Sequence, residues 1–139
     1  MSADTASPKG KILVVGVRLG TAAPQFYRDH FGPVDKMQAE MNEDKDRVRE
    51  MGYEIDIHLL DDRDLEAGFV ALEEKLKAEK IKVYIIGAGI RLIPQHLPLF
   101  ERAVHLYKRF TPGSVLLFND GPGGNSAALV RNKEYLDPN

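Results

Sequence analysis

Two short runs, Ile12-Leu13-Val14-Val15 and Val83-Tyr84-Ile85-Ile86, are apolar at every position. A strand with one wet face alternates apolar and polar residues, so an unbroken apolar run predicts a strand covered on both faces, as in a parallel sheet flanked by helices. Neighbouring parallel strands need long crossover connections, and the stretches between the runs carry apolar residues at helical spacing.

Residues 1–10 hold Ser2, Thr5, Ser7, Pro8 and Gly10 with little to bury, which predicts a flexible tail ahead of a single domain over 11–139. The first strand starts at Lys11 and ends at Gly16. Pro24 suits the first turn of a short helix through His30, and Gly32-Pro33 ends it. Val34, Met37, Met41, Val48 and Met51 form the apolar stripe of a longer helix closed by Gly52. Tyr53, Ile55, Ile57 and Leu59 alternate with Glu54, Asp56 and His58, as in a strand near a sheet edge with one wetter face. After the Asp61-Asp62 loop, Asp64 can cap a helix reaching about Lys80, with Leu65, Phe69, Leu72 and Leu76 inward.

Lys82 to Ile86 is the third strand. Pro94 and Pro98 suit a helix start, and the buried side runs through Leu99, Ala103, Leu106, Tyr107 and Phe110 until Thr111-Pro112-Gly113 stops it. Ser114 to Phe118 is the fourth strand. Asn119 to Gly124 is a loop, and Asn125 or Ser126 caps a last short helix toward Tyr135.

Four alternations of strand and helix predict an α/β domain, a small three-layer doubly wound sheet with right-handed crossovers and helices on both faces. The order 2-1-3-4 places the two most apolar runs centrally and the alternating one at an edge. In this pattern of elements, over about residues 11 to 135, the chain resembles flavodoxin-like, Rossmann-like proteins. The resemblance implies a ligand crevice beyond the carboxyl ends of the strands. It does not extend to the cofactor: the flavin phosphate loop of that family is rich in hydroxyls, whereas the loop after the first strand offers only Thr21 amid Arg18, Leu19, Gly20 and Ala22. Nor do Gly16-Val17-Arg18 supply the acidic residues with which receiver domains of similar fold bind magnesium.

The chain's 139 residues hold 19 basic and 21 acidic side chains, a net charge of -2, so no overall field draws it to nucleic acid or an anionic membrane. No apolar stretch reaches the roughly 20 residues of a membrane span. With zero cysteines, thiolate sites and disulfides are excluded, and a cytoplasmic protein is expected. His96 and His105 would sit on opposite faces of one helix and cannot share a metal ion.

The strand ends carry the candidate chemistry. In the 2-1-3-4 order, Arg18 with Gly20 and Thr21, and Gly87-Ala88-Gly89 with Arg91, flank the point where strand order reverses; Asn119, Gly123, Gly124 and Ser126 lie beside it. Glycines allow close backbone approach, and two guanidinium groups suit a phosphate or carboxylate. The third glycine of a dinucleotide fingerprint would fall at Leu92, and Gly16 and Gly20 lack the spacing and lysine of a P-loop, so no cofactor is expected. Asp120 and His58 are the candidates for proton transfer. Asp61 and Asp120 lie three strand spacings apart, about 14 Å, too far to serve one bond.

These features support two readings. One is a small-molecule binding domain for an anionic ligand, extending to an acid/base enzyme. The other is a non-catalytic oligomeric module, a homodimer for instance, built on the methionine-bearing helix.

Overall fold

The computed structural model of the protein describes residues 8–18, 29 and 32–137. The predicted helix from Pro24 to His30 lies, Asp29 apart, outside these residues, as do Gly20 and Thr21.

Four strands, β1 (Gly10–Val17), β2 (Tyr53–Leu60), β3 (Val83–Ile86) and β4 (Val115–Phe118), form one parallel sheet in the order 2-1-3-4. The register sets Val14 beside Ile57 and Ile85, and Ile85 beside Leu117. Ile12 to Val15 and Val83 to Ile86 are buried throughout at the two central positions, whereas Val115 to Phe118, equally apolar in sequence, is only partly buried at an edge. All four β3 residues are fully buried, each such side chain stabilising the fold by roughly 1.5–3 kcal/mol. Tyr84 tolerates this because its hydroxyl donates to the Ala103 carbonyl at 2.8 Å, and burial pushes its pKa up.

The helices are α1 (Val34–Glu50), α2 (Leu65–Ala78), α3 (Ala88–Arg91), α4 (Leu97–Phe110), α5 (Asn125–Arg131) and α6 (Lys133–Leu136), with a 3-10 turn at Pro94–His96. One layer packs Phe69, Leu72 and Leu76 of α2, Ile90 of α3 and Ala103 and Leu106 of α4 on Leu13, Val15, Tyr84 and Ile86. The opposite layer sets Val48 of α1, Ala128 and Leu129 of α5 and Leu136 of α6 on Ile12, Val14, Val83 and Ile85. Alternate residues of each central strand feed the two cores, as a two-residue side-chain period requires. The Asp64 carboxylate accepts from the Ala67 N–H at the start of α2, and Gly52 closes α1 with φ +100°, a conformation open to glycine.

Three local features differ from expectation. β1 begins at Gly10, and the Lys9 N–H already donates to the Gly52 carbonyl, so pairing with β2 extends further toward the N-terminus than side-chain patterning indicates. Gly87-Ala88-Gly89 is not an open loop: Gly87 leads into α3, and Gly89 lies within it. Finally, Asn125 and Ser126 do not cap the last helix, which breaks into α5 and α6. Gly124 is the residue before α5 and makes no side-chain cap bond. The capping carboxylate comes instead from Asp44 of α1, the helix between β1 and β2.

Candidate functional site

Asp44 is fully buried in the middle of α1. Its carboxylate accepts from the backbone N–H groups of Asn125 (2.9 Å) and Ser126 (3.2 and 3.3 Å), and from the Ser126 hydroxyl. Arg47, one turn further on, approaches it at 3.6 Å. The first free N–H groups of a helix need acceptors, and a buried carboxylate needs donors. Each requirement is met by the other, which locks α5 to α1.

Asn119, at the end of β4, extends this polar line into the sheet. Its Oδ1 accepts from the Ala88 N–H and its Nδ2 donates to the Asn125 Oδ1, both at 2.8 Å. Its backbone carbonyl accepts from Arg91 Nη2 at 3.0 Å. The side chain thereby ties together the exits of β3 and β4 and the start of α5.

A half-enclosed cavity of about 290 Å³ lies against this line, on the α1 face of the sheet. Val14, Gly16, Ile57 and Leu59 form its floor, and Val34, Met37, Gln38 and Met41 of α1 form one wall. Gly87, Ala88 and Gly89 close a second side, and Asn119, Gly121, Pro122 and Asn125 a third. Val17 and the exposed Arg18 stand where β1 leaves the sheet. This is the region beyond the carboxyl ends of β1 and β3, where the strand order reverses and ligands of open α/β sheets are found. Gly87 is needed there for contact: a Cβ on it would lie 3.1 Å from the Val15 carbonyl oxygen, with which its own N–H is already bonded at 2.8 Å.

Of the residues singled out in the sequence, Arg18, Gly87, Gly89 and Asn119 share this cavity. Arg91 does not line it; exposed, it holds the Asn119 carbonyl instead. Gly123 packs against Glu40 of α1, and Gly124 precedes α5, where a Cβ would collide with the Asp120 carboxylate and with backbone. Asp120 is exposed and covers this turn, in which the Gly124 N–H donates to the Gly121 carbonyl at 3.0 Å. Ser126 is bound to Asp44. His58 faces the opposite layer, buried, its ring Nε2 2.8 Å from the Gly68 carbonyl. Burial lowers its pKa, Lys75 adding to the effect while the Gly68 bond and Asp56 oppose it. Asp61 and Asp120 end or follow β2 and β4, the two edge strands. Arg63 holds the Asp61 carboxyl far below the usual range, with Arg18 contributing.

Sequence reasoning missed Gln38 and did not single out the Asn125 side chain beyond its place at the start of the last helix. It placed Met37 and Met41 in a packed stripe, and both do face inward, as walls of the cavity, while Met51 packs on the core beneath α5. Asp44 gave no signal of its own: one acid among the charges of α1 looks solvated until its partners, over 80 residues away, are known. Among the described lining residues, Arg18 alone carries an ionisable side chain. Among the described residues no group of three or more histidine and acidic side chains is placed to hold a metal ion, and no helix is long and apolar enough to cross a membrane.

No protein-family model, no curated protein and no solved structure matches the chain.

Proposed function

We propose that the protein binds a small anionic molecule in the cavity between α1 and the carboxyl ends of β1 and β3. The observation that carries this reading is the position of the cavity. A space with an apolar floor and wall, two buried amides at one end and a guanidinium at its edge lies where this architecture collects ligands. Arg18 supplies the charge, and Arg91 acts at one remove by fixing Asn119. Binding rather than proton transfer is the function that the described lining supports, because neither Asp120 nor His58 reaches the cavity.

Thermal unfolding against a panel of phosphates, nucleotides, flavins and short carboxylates tests the reading. A ligand of the folded state at a hundred times its dissociation constant stabilises by about 2.7 kcal/mol. A shift that Arg18→Ala diminishes supports the site. A shift unchanged in that variant and in the cavity-wall variant Met37→Ala places binding elsewhere, and a flat panel counts against binding of any of these classes.

A further inference from the structure

The hydrogen-bond direction along the buried amides fixes what the cavity offers a ligand, and the argument rests on the binding reading above. A backbone N–H can only donate, so the Asn119 atom facing the Ala88 N–H is its carbonyl oxygen. The other end of Asn119 is therefore its NH2 group, and the Asn125 atom that it meets at 2.8 Å must be an acceptor, Oδ1. That leaves the Asn125 NH2. Among the described residues nothing accepts from it, yet no side-chain nitrogen or oxygen there is both sealed from solvent and unpartnered. Asn125 is only 1% exposed and lines the cavity, so the remaining space available to its NH2 is the cavity itself.

We infer that Asn125 selects the ligand through this NH2 group, and that the ligand is an apolar-bodied monocarboxylate rather than a phosphate. The carboxylate supplies the acceptor that Asn125 lacks, and Arg18 lines the same space with the complementary charge. A phosphate has three oxygens to satisfy and needs a cradle of donors. Two of the N–H groups at this turn, those of Gly87 and Ala88, are already spent on the Val15 carbonyl and Asn119, so the turn offers no full cradle. An apolar floor of Val14, Ile57 and Leu59 suits a hydrocarbon chain and would strip water from a second charge without return.

The test is titration of the full chain with hexanoate, hexylammonium and inorganic phosphate. It is followed by the thermal midpoint and by the side-chain 1H–15N resonances of Asn125. Hexanoate is expected to raise the midpoint and move the Asn125 NH2 signals, while the other two do neither. Asn125→Asp, which keeps the acceptor for Asn119 and replaces the donor, is expected to weaken hexanoate at least about tenfold, the worth of a hydrogen bond to a charged group. If hexylammonium binds as well as hexanoate, or Asn125→Asp binds hexanoate as the parent does, the cavity binds but Asn125 does not choose, and this inference falls alone. A phosphate-driven shift of the Asn125 signals also overturns it. If none of the three probes moves a resonance of the cavity lining, this inference falls, and the binding reading is then decided by the wider panel of nucleotides, flavins and carboxylates. Should Asn125→Asp not fold, the Asn125 signals of the parent protein decide the matter.

Discussion

The carboxylate of Asp44, fully buried in α1, accepts the backbone N–H of Asn125, 81 residues further along the chain, at 2.9 Å. A helix start and a buried charge, each costly alone, satisfy one another. The same contact holds Asn125, whose side chain lines the cavity, at a fixed distance from the helix that forms the cavity wall. Stability and site geometry are therefore coupled through one residue.

Asp44→Ala strips acceptors from two backbone N–H groups and a hydroxyl at once. Urea unfolding is expected to show a loss of about 3 kcal/mol, in the range for breaking a buried charged network. Asp44→Asn retains one acceptor oxygen and should lose less. A loss from Asp44→Ala below about 1 kcal/mol would mean that water replaces the carboxylate, since that is the worth of an ordinary hydrogen bond.

Gly87→Ala and Gly113→Ala separate two roles of glycine. At Gly87 a Cβ would press on the Val15 carbonyl oxygen at 3.1 Å and approach the Gly16 Cα at 3.7 Å, both backbone atoms of the central strand. Overpacking there is expected to cost about 1–3 kcal/mol. At Gly113 nothing lies within 4 Å, so alanine should be neutral or stabilise by up to about 1 kcal/mol through the unfolded chain. Equal midpoints of denaturation for the two variants would contradict this account.

Arg91 and Asn119 should behave as one unit. Asn119→Ala frees the Ala88 N–H and removes the partner of Asn125, a loss of about 2–3 kcal/mol for buried groups left unpaired. Arg91→Ala, at an exposed position, should cost about 0.5–1.5 kcal/mol, the worth of one bond to the Asn119 carbonyl. A double-mutant cycle that is additive within about 0.3–0.5 kcal/mol would show that Arg91 does not act through Asn119.

His58 gives the fold a pH dependence. Burial sets the folded pKa of the ring below its unfolded value, with Lys75 adding to the shift, while the Gly68 carbonyl, which accepts from Nε2, and Asp56 oppose it. Below the ordinary histidine value of about 6.5, the unfolded chain binds the extra proton first. The contribution of His58 is thus complete above that value and is lost as pH falls through the window down to the depressed folded value. Unfolding free energies measured from about pH 7.5 to about 5.5 should fall more steeply for the parent than for His58→Gln, which keeps a donor but does not titrate. Parallel curves would show that protonation of His58 is not what acid does here.

The sheet was legible because burial leaves a periodic trace. Ile12 to Val15 and Val83 to Ile86 lack polar positions, as strands between two layers do, and the alternating Tyr53 to Leu60 lies at an edge; Val115 to Phe118 shares the apolar pattern yet takes the other edge. Asp64 capping α2 was legible too, since donor and acceptor lie three residues apart. Arg18, Gly87, Gly89 and Asn119 could be grouped from the sequence because the ends of parallel strands converge by topology.

What the chain by itself determined was therefore the strand order, the presence of helices on both faces and the end of the sheet where loops gather, all consequences of local pattern and chirality. Only the tertiary structure decided that Arg91 turns to the Asn119 carbonyl while Arg18 lines the cavity, that Asp44 rather than Asn125 caps α5, and that Asn125 keeps a donor for the cavity. These are single hydrogen bonds between residues far apart in sequence. Each depends on distances of a few tenths of an ångström and on which atom of an amide is already engaged, and no periodicity records either.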